Sequence, residues 1–384
     1  MRISVRSLTL LAVFVSIASG SALAATSVAD SRGAGMGNTG VASADYLVAP
    51  YYNPALTANY RQSDDVALLL PAISASLRDS DETLKEVDDL QDTIDAFKAS
   101  PSASNIAKLN THLDNLDGDK PLTVTANAGI AVAIPNDKVA INVFSRGYVE
   151  VIGVTDIAAF VSDSQADTET RYENSKVELA AFGYTEVGIA FAKKIEIEED
   201  QSVLIGLSPK YQQLKTYYES VTVEEFDLDD YDKSERKENA FNLDLGAVWQ
   251  KEQWRLGVSI KDLFKQSIKT QNPAIKYELT PQVTVGGAYA TQLFTAALDA
   301  DLTKQSRYNN VDDDTQFVRM GIEGNAWDWA QLRVGYQIDV KNTLDNSITA
   351  GIGISPFDVV NIDLAGSYAD SNEFGASANL ALTF

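Results

Sequence analysis

Residues 241–261 read FNLDLGAVWQKEQWRLGVSIK. Phe241, Leu243, Leu245, Ala247 and Trp249 alternate with Asn242, Asp244, Gly246 and Val248. After the connection Gln250–Gln253, Trp254, Leu256, Val258 and Ile260 alternate with Arg255, Gly257, Ser259 and Lys261. Period two is the signature of a strand with two unlike faces, and two such runs across a short polar connection predict an antiparallel hairpin. The pattern recurs in both directions from there. Fourteen segments carry it, the first near Asp65–Ser76 and the last near Phe374–Phe384.

A soluble sandwich also alternates, so three further features decide the architecture. Many segments hold the pattern for nine to twelve residues, whereas soluble strands average about five or six and a tilted membrane-crossing strand needs about nine to eleven. Connections alternate in length. Pro135–Lys138, Glu196–Gln201, Gln250–Gln253, Thr291–Leu293, Gly324–Gln331 and Ser355–Val359 are short, and the long acidic ones fall between them. Short periplasmic turns, longer outer loops and an even strand count characterise bacterial outer-membrane barrels. All four tryptophans, Trp249, Trp254, Trp327 and Trp329, lie at or in the short connections, as an aromatic girdle at the membrane interface requires. The sequence therefore predicts an all-β, transmembrane antiparallel barrel of about fourteen strands, with both termini on the periplasmic side.

The inward faces then carry Asp244, Arg255, Lys261, Asp299, Asp301, Arg319, Glu323, Arg333, Asp339 and Asp363. Both signs occur, so paired charges are expected in the lumen. A barrel of this width is not filled by small side chains alone, which calls for a plug, a folded-in loop or ligand space.

The N-terminus is a targeting segment. Arg2 and Arg6 precede the apolar run Leu8–Ile17, and Ala22-Leu23-Ala24 supplies a small-x-small cleavage pattern, the layout of a signal peptide over 1–24. The run is too short to span a bilayer as a helix. The chain has no cysteine and a formal net charge of -23, with 54 acidic residues against 31 basic. That excludes a disulfide framework and a thiolate metal site and disfavours nucleic acid as a partner. The single histidine, His112, cannot form a zinc site alone and gives nucleophile triads at most one candidate base. Asp114, Asp117 and Asp119 around Gly118 lack the spacing of a calcium loop. No enzyme, cofactor or metal site is expected.

Two segments depart from alternation. Ser31–Gly40 is glycine-rich and is followed by Tyr51-Tyr52-Asn53-Pro54-Ala55. A phosphate cradle needs a strand before the glycines and a helix after them, and only the targeting segment precedes these. A packed, strand-poor segment entering the barrel mouth fits the glycine density. In Asp79–Leu116, Leu84, Val87, Leu90, Ile94 and Phe97 recur at three- and four-residue spacing, as do Ile106, Leu109, Leu113 and Leu116, with Pro101 between the two sets. This predicts a pair of amphipathic helices over 79–116, placed in the first outer loop as a lid, partner-binding cap or shield.

The Gly35-Met36-Gly37 stretch running to Gly40-Val41-Ala42, the Asn53-Pro54-Ala55 turn and the alternating strands to Phe384 resemble the FadL-type outer-membrane transporters. They are closer still to the TraF-like conjugal-transfer outer-membrane proteins, over nearly all the mature chain. The resemblance implies an N-terminal hatch within 25–60 ahead of a barrel over 61–384. Its motif residues would be Gly33, Gly35, Met36, Gly37, Gly40, Asn53 and Pro54, and Phe384 would be the insertion signal read by the barrel-assembly machinery. It further implies passive passage of small hydrophobic or amphipathic compounds. The alternative is a non-transporting structural or receptor protein of the envelope, linked to conjugal transfer.

Overall fold

The computed structural model describes residues 28–226, 234–309, 314–326, 329–356 and 359–384. The expected signal peptide, 1–24, and Trp327 lie outside the described residues.

The chain opens with two short helices, α1 (Ser31–Gly35) and α2 (Ala49–Tyr52), and a 3-10 turn, Pro54–Ala58. Then come β1 (Ala67–Arg78), the helices α3 (Thr83–Ala99) and α4 (Ala103–Asn115), β2 (Leu122–Ile134), β3 (Ala140–Asp156) and helix α5 (Gln165–Asn174). β4 (Lys176–Glu198), β5 (Gln201–Thr222), β6 (Arg236–Lys251) and β7 (Trp254–Lys261) lead into a small hairpin, β8 (Gln266–Lys269) and β9 (Lys276–Leu279). The remaining strands are β10 (Gln282–Ala290), β11 (Phe294–Asp301), β12 (Phe317–Ala326), β13 (Ala330–Asp339), β14 (Ser347–Ile354), β15 (Val360–Asp370) and β16 (Glu373–Thr383).

Leaving out β8 and β9, these strands make one closed barrel in which each pairs antiparallel with its chain neighbours and β1 pairs with β16. The alternation sets the faces. Leu256, Leu298, Ile322, Leu332, Val334, Ile352 and Leu364 are all exposed on the outside, while Asp244, Asp299, Asp301, Arg319, Glu323, Arg333, Asp339 and Asp363 are buried inside. Among the described residues no second sheet covers the apolar face. An apolar surface of this extent is foreign to soluble monomers and suits lipid, and closure removes the unpaired edges that hydrocarbon does not tolerate. No described helix is long and apolar enough to cross a membrane.

One end has short connections, such as the two residues between β4 and β5 and between β6 and β7. The other end carries the helices. β4 and β5, at 23 and 22 residues, exceed the roughly ten a crossing requires and project beyond the barrel's apolar zone. α3 and α4 pack against the projecting part of β4 and against α5 through Val87, Leu90, Ile94, Phe97, Leu109 and Leu113, together with Tyr172, Val177 and Leu179. His112 ties the two helices by an Nδ1 contact of 2.6 Å to Glu86 Oε1. At the foot of this cap, burial and the neighbouring Asp81 raise the Asp119 carboxyl to about 6. The β15–β16 connection is short as well, two residues between Asp370 and Glu373, although it lies at the end that carries the helices.

Candidate functional site

The lumen is filled from the short-turn end by residues 28–60. Ala44, Leu47, Val48, Ala49, Ala55, Leu56 and Ala58 pack against Ala67, Ala133, Ala140, Ala192, Leu204, Val248 and Ala381. The strand contribution to this interface is mostly alanine, which leaves room for a plug.

Above this greasy floor the segment is fastened to the wall by polar side chains. Asp30 starts α1 by accepting from the Arg32 and Gly33 amides at 3.1 and 2.9 Å. Arg32 then meets Glu323 through two bonds of 2.9 and 2.8 Å. Glu323 also takes Arg333 at 2.7 Å, and Arg333 reaches Asp363 at 2.6 Å. Asp299 accepts from the Gly40 and Val41 amides at 2.7 and 3.0 Å. Thr349 accepts from the Gly37 amide at 2.9 Å and donates to the Gly35 carbonyl at 3.0 Å. Asn53 Nδ2 donates to Val41 O at 2.9 Å while Asn53 Oδ1 accepts from Ala55 N at 3.1 Å. Lys261 Nζ donates to Tyr51 O at 2.6 Å.

These anchors require the backbone to lie against the wall. Gly37 has φ +69, and a Cβ there would lie 2.7 Å from Met320 O; on the facing strand, a Cβ on Gly335 would lie 2.2 Å from Gly37 N. Only glycine satisfies both the positive φ and the approach.

This barrel, with its lumen-filling N-terminal segment, can be set beside known proteins. A model of the family described as "F plasmid transfer operon, TraF, protein" matches residues 50–301. The chain belongs to this family. No curated protein matches it. Among solved structures, the Ralstonia pickettii toluene transporter TbuX is similar at 11% identity, over 91% of this chain and 96% of that one, with a TM-score of 0.53. The CymD monoaromatic hydrocarbon channel is similar at 10% identity, over 92% and 96%, with a TM-score of 0.51. A TodX deltaS2S3 mutant monoaromatic hydrocarbon channel is similar at 10% identity, over 92% and 97%, with a TM-score of 0.50. At such identities the likeness is one of fold.

In this TraF-family barrel the glycine-motif residues converge inside the lumen. Met36 is fully buried against Ala42, Ala288 and Ala297, Gly40 lies against the Tyr52 ring, and Pro54 opens the 3-10 turn. Trp249 is half-buried, Trp254 and Trp329 are exposed, and all three lie at the short-turn end. Phe384 is exposed beside β16, its backbone amide bonded to Val66 O at 2.9 Å.

Two lumen features were not read from the sequence. The first is a charge cluster drawn from β3 to β6 and from Asp262, just past the end of β7. Arg146 contacts Glu186 at 2.6 Å and the Tyr184 hydroxyl at 2.7 Å, and Lys210 lies 2.9 and 2.8 Å from Asp244 and Asp262. Strand parity could have found it, since Asn142, Phe144, Arg146 and Tyr148 share a face. The second is the β8–β9 hairpin, which folds onto the inner wall: Tyr277 stacks on Phe182 with centroids 3.5 Å apart and meets Tyr308 edge-on. Between the N-terminal segment and the helical end lies a cavity of about 80 Å³, bounded by β1 to β3 and β12 to β16.

Proposed function

We propose that this barrel lets small hydrophobic or amphipathic compounds pass the outer membrane down their concentration gradient, without catalysis, and that residues 25–60 act as its hatch. One observation carries the reading. The N-terminal segment fills the lumen yet contributes no strand to the wall, so its displacement leaves every inter-strand ladder intact. The solved barrels of similar fold are described as a toluene transporter and as monoaromatic hydrocarbon channels, which supports the same substrate range. In this reading residues 1–24 direct export, the apolar belt meets outer-membrane lipid, Trp249, Trp254, Trp327 and Trp329 form its periplasmic girdle, and Phe384 guides insertion by the assembly machinery.

A second reading, a sealed envelope barrel serving conjugal transfer, is favoured by the β8–β9 hairpin, which obstructs the lumen a second time. Solute uptake into proteoliposomes separates the two. Uptake above protein-free vesicles, raised further by deletion of residues 33–58, supports a hatched channel. Uptake equal to that of empty vesicles for both proteins rejects it.

A further inference from the structure

The lumen is closed twice, by the N-terminal segment and by the β8–β9 hairpin, and the two closures meet at one pair of consecutive residues. Lys261 ends β7 and donates from Nζ to the Tyr51 carbonyl at 2.6 Å. Among the described residues that carbonyl is its only hydrogen-bond acceptor. Asp262, the next residue, has φ +52 and turns the chain off the wall toward the hairpin. It is held from the other side. Its carboxylate lies 2.8 Å from Lys210 Nζ and accepts from Gln212 Nε2 at 2.9 Å, and its amide donates to Asp244 at 2.8 Å. Two residues on, Asn242 accepts from the Phe264 amide at 2.9 Å and donates to the Phe264 carbonyl at 3.1 Å. These side-chain bonds replace the ladder to β6, which ends at Ile260.

A second line of contact runs beside the first. The Arg146 guanidinium lies 5.6 Å from the centre of the Tyr51 ring, and it bonds to the Tyr184 hydroxyl at 2.7 Å. Tyr184 packs edge-on against Phe182, on which Tyr277 of the hairpin is stacked. An unbroken row of side chains therefore joins a ring of the N-terminal segment to a ring of the hairpin.

Moving one closure disturbs the other. When Tyr51 withdraws, the Lys261 ammonium loses its acceptor inside the lumen, and a buried donor left unsatisfied is costly. Asp244 and Glu186 are the carboxylates that attract it. Both already serve the root of the hairpin, Asp244 through the Asp262 amide and Lys210, Glu186 through Gln212. A carboxylate drawn to Lys261 is drawn away from that root. In the other direction, a hairpin that leaves takes Asp262 with it and shifts the end of β7 on which Tyr51 is seated.

We propose that the N-terminal segment and the β8–β9 hairpin form one linked gate, joined at Lys261–Asp262, in which displacement of either loosens the other. The proposal rests on the hatch reading for its biological role and deepens it: a single event clears both closures.

Tyr277→Ala removes the ring stack without touching the N-terminal segment. Arg32→Ala unties that segment from β12 without touching the hairpin. Hydrogen-exchange mass spectrometry on the full-length barrel in nanodiscs follows residues 28–60 and 262–281 separately. Tyr277→Ala speeds exchange in the hairpin and, by about 10-fold, in the N-terminal segment; Arg32→Ala has the mirror effect, since coupling between two sites is reciprocal. Lys261→Met keeps the stem and removes the ammonium, and in that background both transmitted effects fall below about 3-fold. Heat-modifiable gel migration verifies that each barrel is closed, with Tyr277→Leu and Arg32→Gln as milder cuts for any variant that fails to close. Exchange that rises only in the mutated segment, in neither segment, or across the joint in one direction only overturns the linkage. Transmitted effects of undiminished size in Lys261→Met overturn the joint. Coupled exchange in a barrel that passes no solute leaves the linkage standing and rejects the channel; uptake with uncoupled exchange does the reverse.

Discussion

Arg32 of the N-terminal segment and Glu323 of β12 form a two-bond ion pair, 2.9 and 2.8 Å long, between residues 291 positions apart. It is the strongest single tie between the plug and the wall, because a fork-shaped guanidinium facing a carboxylate gains geometry as well as charge. Glu323 is shared with Arg333, so the carboxylate balances two cations. Glu323→Ala should therefore loosen the segment more than Arg32→Ala. Removing one member of a buried pair costs about 3–5 kcal/mol, and Glu323→Ala takes the carboxylate from Arg32 while leaving Arg333 with Asp363 alone. The expected result is a larger ion leak through planar bilayers for Glu323→Ala than for Arg32→Ala, with both barrels still heat-modifiable. Equal, native-level conductance in both would contradict this seating.

Gly37→Ala tests the backbone contact independently of charge. A methyl at φ +69 carries strain of about 1–3 kcal/mol, and here it would also meet the Met320 and Tyr336 carbonyls. The segment should become open to added protease at its 28–60 stretch while the strands stay protected. Gly118→Ala is the control, since Gly118 also has a positive φ but no atom within 4 Å of a Cβ; it should leave protease resistance unaltered.

The helical cap should be less stable at neutral than at mildly acid pH. Asp119 titrates at about 6 in the folded cap, raised from 3.8 by burial and by Asp81. A carboxyl whose folded value is raised contributes stability that is full below its unfolded value and is lost as pH climbs through the folded one. Helix melting, followed by circular dichroism, should shift to lower temperature between pH 4 and pH 7. Asp119→Asn should flatten that dependence; an unchanged slope would remove Asp119 as its source.

The outward face can be tested with one charge. Val334 lies near the middle of β13 and is 49% exposed. Val334→Arg should cost about 2–4 kcal/mol where the strand crosses mid-bilayer, read as a lower urea midpoint for folding into vesicles. A midpoint equal to the native one would place this residue outside lipid.

The strands were legible because each is long, two-faced and bounded by polar connections; β10 and β14 fall on the segments whose alternation marks them, Gln282–Ala290 and Ser347–Ile354. The helical pair was legible for the same reason at another period, with Pro101 marking the break. The β8–β9 hairpin was not, because four-residue strands offer only two alternations each, and Ile268 and Tyr277 look like any loop hydrophobes. α5 was hidden in an acidic stretch whose buried side, Thr168, Arg171 and Tyr172, is mostly polar. Inward charges could be read one strand at a time, but their partners depend on register. That Arg333 reaches both Glu323 and Asp363 follows only once β12, β13, β14 and β15 are aligned. The cavity above the N-terminal segment was illegible for the same reason: its lining comes from strands at both ends of the chain.

The β1–β16 seam has a kinetic consequence. Ala67 pairs with Thr383 and Arg78 with Glu373, so the ring cannot shut until the final strand has been delivered. Every other wall contact forms between sequence neighbours and can zip progressively, but this last one pays the full entropy of joining distant segments. Until then the nascent sheet carries two raw margins able to recruit foreign strands, and a chain halted before Glu373 would keep both. Escort by chaperones from synthesis to seam closure is thus a demand that the topology itself imposes.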